Sequence, residues 1–251
     1  MYPRLIFLLI ITLSLGVNAA FAQFEGEIRF RVFNPDQKSE ETVNMEMTFT
    51  KNRIFIDSNT STNVMAGLQA KGVLVRHDLQ DFVVITDQQE ALKVAKSDLE
   101  SLINLLNRMK GREESTASQP FPWEERLVQT GEQKEILGYN AHQFILKGNA
   151  EGEYASVWLT EDIVVDWGLL SDAWYAIGSK QIDQEVPIEI VMNNQSFPLL
   201  IEAFEKDELV FKAESVSVDE NTFDRSKTRL SSDLKVIGLT DLMMNMFMQQ
   251  N

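Results

Sequence analysis

The chain has 251 residues, and 38 acidic against 23 basic side chains give it a net charge of −15. Such a surface repels nucleic acid and anionic lipid, so neither is expected as a partner. The absence of cysteine excludes a disulfide framework, a thiolate nucleophile, a Cys-ligated metal and a lipid anchor on an N-terminal Cys.

Arg4 is the only charged side chain before Glu25. An apolar run from Leu5 to Leu13, interrupted only by Thr12, extends through Leu15 and Val17 and leads into Ala20-Phe21-Ala22. A positive start, an apolar middle and an A-x-A site in this order predict a signal peptide over residues 1–22, cut between Ala22 and Gln23. The apolar stretch is short beside the roughly 20 residues a spanning helix needs, and no later stretch is long enough. The expectation is an exported chain, periplasmic or secreted, with no membrane anchor after cleavage. A cysteine-free exported chain of this size points to a bacterial envelope or secreted protein. Residues 23–251 are expected to form a single domain around one core.

The mature start alternates: Phe24, Gly26, Ile28, Phe30 and Val32 share one face, Glu25, Glu27, Arg29 and Arg31 the other. This predicts a strand with one buried side. Asn34-Pro35-Asp36 breaks it. Val43, Met45, Met47 and Phe49 repeat the pattern, Lys51-Asn52 makes a tight turn, and Arg53 to Asp57 returns. Asp57 to Asn63 is polar and reads as a loop. Val73 to His77 and Phe82 to Thr86 form a hairpin around Leu79-Gln80-Asp81, and Ala91 to Val94 adds a short strand.

A helix is predicted over about 97–110. Ser97 with Glu100 forms a capping box, Leu99, Leu102, Ile103, Leu106 and Met109 make one stripe, and Gly111 stops it. Arg112 to Gln119 and Pro120-Phe121-Pro122 connect the two halves. Ile136 to Lys147 and Tyr154 to Thr160 then read as a hairpin. Val164 to Ile177 is ambiguous between helix and loop. Pro187 to Met192 is expected to pair with Phe197 to Phe204 around Asn193-Asn194-Gln195. Leu209 to Val218 is the last long strand, and the tail from Ser232 has helical character. The fold class is therefore α+β, mostly β: a curled antiparallel sheet or incomplete barrel covered by one or two helices.

No catalytic motif stands out, and the chain is not expected to be an enzyme or to carry a cofactor or metal. His77 and His142, the only two histidines, lie in strand-like runs far apart. Ser232-Asp233-Leu234-Lys235 matches S-x-x-K without its companion motifs, and Ser232 reads better as a helix N-cap. Asp57 to Asn63 begins like a calcium loop, but Thr62 stands where the sharp turn needs Gly, and Leu68 where a Glu ligand belongs. Glu124, Glu125, Glu161 and Asp162 lie near Trp123 and Trp158, a sugar-site habit that reads more simply as a solvated rim. Leu242, Met243, Met244, Met246, Phe247 and Met248 end the chain with a Met-heavy apolar segment. It suits either a helix docked on the core or an adaptable contact with an envelope protein.

Phe24-Glu25-Gly26-Glu27-Ile28, the run Glu135 to His142, Val157-Trp158-Leu159-Thr160-Glu161-Asp162, Phe197-Pro198-Leu199, Val216-Ser217-Val218 and Phe223-Asp224 together resemble a family of exported bacterial proteins of unknown function. That family is similar in fold to the periplasmic lipoprotein carriers (LolA-like). The resemblance covers nearly all of the mature chain. It implies an incomplete, curled antiparallel barrel with helices as a lid and an apolar concave face. It transfers no catalytic residues, and the Cys many members carry after Gly-Tyr is replaced here by Ala141 or His142. The expected function is binding of an apolar or lipid-like ligand, lined by Ile28, Phe30, Met45, Met47, Phe49, Leu102 and Leu106. The alternatives are a protein-interaction or stress role through Met243, Met244, Met246 and Phe247, and, less favoured, a hydrolase using acids beside Trp123 or Trp158.

Overall fold

A computed structural model describes residues 23–33, 43–65, 68–86, 89–98, 126–148, 150–170, 196–239 and 241. Twelve strands among them form one open, curled sheet. The first six make an antiparallel meander: β1 (Gly26–Phe33), β2 (Val43–Thr50), β3 (Arg53–Met65), β4 (Leu68–Arg76), β5 (Asp81–Thr86) and β6 (Glu90–Ala95). The next five make a second: β7 (Leu127–Ile136), β8 (Tyr139–Lys147), β9 (Tyr154–Thr160), β10 (Phe197–Glu205) and β11 (Glu208–Asp219). β1 pairs antiparallel with β11 and joins the two meanders. β12 (Lys235–Gly238) runs parallel to β6 at the far edge, giving the order β12-β6-β5-β4-β3-β2-β1-β11-β10-β9-β8-β7. Among the described residues no helix is long and apolar enough to cross a membrane.

The alternation of β1 and β2 sets the inward face. Ile28 lies opposite Met47 on one side and Val218 on the other. It belongs to the largest core, with Ile54, Val75, Val157 and Phe197. Gly26 is required where it stands. A Cβ there would lie 2.5 Å from the Phe24 ring and 2.7 Å from the Asp219 carbonyl oxygen, so the close approach of β11 leaves no room for a side chain. The strands β3 to β6 are apolar on their outer face as well. Leu74, Val83 and Ala91 form a second core there, packed under Leu230 and Leu234. A strand buried on both faces reads as a continuous apolar run, which is why Val83-Val84-Ile85 shows no alternation.

Several expectations need correction. Ile136 does not begin the strand that reaches Lys147 but ends β7, because Leu137 and Gly138 both take positive φ (53° and 86°) and close a two-residue hairpin into β8. Asp57 to Asn63 is not a loop but part of β3: Asp57 faces Gly72 while Thr62 faces Ala70, so the excess residues of β3 are taken up as a bulge. β10 has β9 on one side and β11 on the other from Leu200 to Phe204, so that stretch has no free edge for the expected partner 187–192, itself outside the described residues. Ser232 caps no helix. Leu234 N–H bonds the Ser231 carbonyl at 3.4 Å in a turn, and the tail continues as strand β12. Residues 1–22, most of the helix expected over 97–110 with Leu102 and Leu106, Trp123, Glu124 and Glu125, and the tail 242–251 with Met243, Met244, Met246 and Phe247 lie outside the described residues.

The segment between β11 and β12 crosses the outer face as a strap. Its 3-10 helix (Arg225–Thr228) is capped by the Asp224 carboxylate, which accepts from Ser226 N–H at 2.8 Å. Lys227 donates to Glu27 Oε2 at 2.8 Å and also pairs with Glu46, while Arg29 bonds Glu27 at 2.6 Å and Glu46 at 3.1 Å. Glu27 was expected on the solvent face; it is only 5% exposed because the strap lies over it. Burial by itself pushes the Glu46 carboxyl up, but the hydrogen bonds from Lys227 and Arg29 outweigh it and hold that group below the ordinary value. Burial likewise pulls Lys227 down, and the two carboxylates more than reverse it. Nearby, Arg76 and Asp81 close the β4–β5 hairpin with a two-pronged pair at 2.6 and 2.7 Å, side chains 10% and 2% exposed.

Asp81→Ala leaves the Arg76 guanidinium buried without this partner and is expected to cost about 3–5 kcal/mol in urea denaturation; a loss below about 1 kcal/mol would show that water screens the pair. The strap responds to pH in a defined direction. Because Glu46 is depressed in the folded chain, its contribution is complete above the ordinary carboxylate value and drains away as pH falls through the lowered folded value. Lys227, raised, contributes fully below the ordinary lysine value and weakens only as pH rises past it. Amides of the strap and β12 should therefore lose hydrogen-exchange protection in acid before those of β1, and Lys227→Met should remove much of that difference. A strap in the variant that still loses protection before β1 as markedly as in the parent would refute the assignment.

Candidate functional site

The inward face of the curled sheet runs from a sealed end to a wide end. After β9 the chain turns beneath the sheet, anchored where Phe24 N–H bonds the Val164 carbonyl at 2.8 Å. Ile163, Val165, Trp167 and Leu169 from this turn are buried. Trp167 stacks on Phe197 with centroids 5.9 Å apart, and Phe49 meets both edge-on at 6.2 and 5.8 Å. Phe24 adds an edge contact to Phe49 at 5.6 Å, and Phe30 lies 5.8 Å from Phe197. Of the residues expected to line a ligand, Ile28, Phe30, Met47 and Phe49 are buried and Met45 is half-buried.

The wide end is built by cross-strand register. One row runs Val43, Val32, Ala213, Ile201, Val157, Phe144, each residue directly opposite the next. The adjacent row on the same face runs Phe211, Ala203, Ala155, Leu146, Leu127. Ala155, Ala203 and Ala213 give these rows a low middle, flanked by larger side chains. Val32, Met45, Phe144, Leu146 and Phe211 are half-buried, in contrast to the closed packing around Phe49. The result is an apolar trough across strands from both meanders. Alternation in 136–147 and 209–218 marks Leu146 and Phe211 as strand residues. It does not say which strands are neighbours, so the trough was missed.

Polar atoms among the described residues lie beside the apolar face. Trp167 Nε1, Ser196 Oγ and Ser215 Oγ are buried without a hydrogen-bond partner. Ser215 faces Phe30 across the β1–β11 pair, Ser196 precedes Phe197, and Trp167 stacks on it. Each such atom costs about 1–3 kcal/mol while unpaired. Chemically they offer an N–H donor and two hydroxyls beside an apolar surface.

The other sequence candidates do not converge. His77 follows β4 and His142 lies in β8, with six strands of the sheet order between those two strands. Trp158 carries Lys134 Nζ 3.9 Å from its ring centroid, while Glu161 and Asp162 are exposed past the end of β9. Burial holds Lys134 below the ordinary lysine value, with Lys212 adding to the effect and Glu202 opposing it. Lys235 of the S-x-x-K pattern is held by Glu90 at 2.8 Å. Among the described residues no three His, Asp or Glu side chains gather as a metal site.

No family model matches the chain, and neither does any curated protein. Solved structures similar to it include PNGF-II (12% identity, 89% of this chain and 33% of that one, TM-score 0.42). A second is the MucA/MucB complex of Pseudomonas aeruginosa (9%, 87% and 59%, TM-score 0.42). A third is a DUF1329 family protein of Desulfovibrio piger (9%, 84% and 90%, TM-score 0.27). The chain thus spans a third of the first and under two thirds of the second. Likeness at this level assigns no function.

Proposed function

We propose that this chain is an exported, non-catalytic binding protein that holds an apolar or lipid-like ligand against the wide end of its curled sheet. The observation that carries the reading is the graded inward face. It is closed by aromatic packing around Phe49 and half-exposed and apolar around Met45, Leu146 and Phe211, over a floor of alanines. Apolar surface of this kind gains from leaving water, and a concave apolar lining with a few polar points is what small-ligand sites provide. Export rests on the N-terminal sequence, and the resemblance to exported proteins of carrier-like fold supports the same reading.

Native mass of the mature chain, before and after solvent extraction, tests this. The expected result is an excess mass lost on extraction and regained with a long-chain fatty acid or phospholipid. Phe211→Gln and Leu146→Gln place amides on the half-exposed apolar face and should weaken uptake about tenfold, with far-UV circular dichroism unchanged. A bare chain mass that does not shift with added lipid would refute ligand binding and favour protein contact instead.

A further inference from the structure

The end of the strands away from the trough carries a second feature, independent of the apolar site. A shallow groove of about 410 Å³ lies where the β2–β3 turn, Asp78 of the β4–β5 turn and the strap meet. Its walls hold four cations, Lys51, Arg53, Arg225 and Arg229, and two acids, Glu25 and Asp78. In a chain of net charge −15, an excess of two positive charges in one groove runs against the composition. The groove is also ordered from within. Arg53 is clamped by Asp78 at 2.8 and 3.1 Å and donates to the Thr228 carbonyl at 3.1 Å, and Arg225 pairs with Glu25. These pairs use both acids. Lys51 and Arg229 are exposed, and no carboxylate of the described residues pairs with either.

We propose that this groove binds a phosphate group, free or carried by a larger molecule. A phosphate monoester carries about −1.5 to −2 charges near neutrality and three acceptor oxygens. That suits the two cations without an ion pair, Lys51 and Arg229, although the Asp224 carboxylate partly offsets Arg229, and the guanidinium group suits its geometry. A single carboxylate would leave one of the two charges unmet. The acidic remainder of the surface repels anions at long range. Attraction is therefore confined to about one Debye length, roughly 10 Å at 0.1 M salt, and affinity should fall as salt rises.

The test is calorimetric titration of the mature chain with inorganic phosphate, beside its Lys51→Gln/Arg229→Gln double variant. Neither position makes an internal ion pair, so the variant should melt with the parent. Saturable binding is expected, tighter at pH 7.5 than at pH 5.5 because inorganic phosphate gives up its second proton between these values. It should be about tenfold weaker in the variant. A parallel arm floats the protein with phosphatidylcholine vesicles, with and without phosphatidate. Flotation only with phosphatidate, lost in the variant, supports the proposal with a lipid headgroup as the source. Saturable free-phosphate binding without flotation supports it with a soluble source. No response in either arm, or a response unchanged in the double variant, overturns it.

Discussion

The β1–β11 pairing is the interaction on which the rest of this structure depends. Apart from the long connection 161–196 between β9 and β10, each meander is assembled from neighbouring strands close in sequence, whose pairing costs little entropy. β1 and β11 come from opposite ends of the described chain, yet they pair from Glu27–Asp219 to Phe33–Lys212. This seam makes one inward face out of two half-faces: Val32 meets Ala213, and through it Ile201 and Val157. Without it, each meander would leave an apolar side open to water. Gly26 and the bulge between Arg29 and Phe30 are the local adjustments that let β11 approach and keep its inward residues in phase. Val216, the residue passed over at that bulge, is correspondingly exposed.

The strap is a consequence of the same seam. Once β11 lies beside β1, the chain leaves the sheet at its middle and must cross β2 and β3 to reach the β6 edge. On the way it covers Glu27 and Thr48 and lays Leu230 and Leu234 over Leu74, Val83 and Ala91. A buried carboxylate such as Glu27 is tolerable only because Lys227 and Arg29 meet it there. β12 then occupies the edge of β6, protecting a strand that would otherwise present unpaired amides. At the opposite edge β7 is blunted by its own irregularity and by charged side chains such as Glu132 and Glu135.

The alternating strands were legible in the sequence because burial on one face leaves a period of two, as β1 and β2 show. Misreadings arose where composition and geometry part company. Leu137-Gly138 is a tight turn made with an apolar residue, so the hydrophobic run passes through it unbroken. The polar stretch after Asp57 resembles a loop in composition, but a strand with a wide bulge accepts the same residues. Glu27 looks solvent-facing because Lys227, which buries it, lies 200 positions away. The inward residues Ile28 to Phe49 could be read directly. The trough could not, since alanines such as Ala155 and Ala203 contribute little to a hydrophobic period and gain meaning only from register.

That register also fixes how the inward face can work. Around Phe49 the aromatic rings of Phe24, Trp167 and Phe197 interlock, and the neighbouring side chains are fully buried, so entry there would require unpacking a close-packed core. Around Phe211 and Leu146 the side chains retain exposure, over a floor of small alanine side chains. On the proposed binding function, a ligand entering from the wide end would displace water rather than protein, the cheaper exchange. Phe30 and Phe197 would limit its depth of entry, and the unpaired Ser215 hydroxyl opposite Phe30 and the Ser196 hydroxyl before Phe197 would be polar points for it to meet. An apolar molecule with one polar group would satisfy both demands, because its chain would cover the trough while its polar group removed the cost of hydroxyls left unpaired.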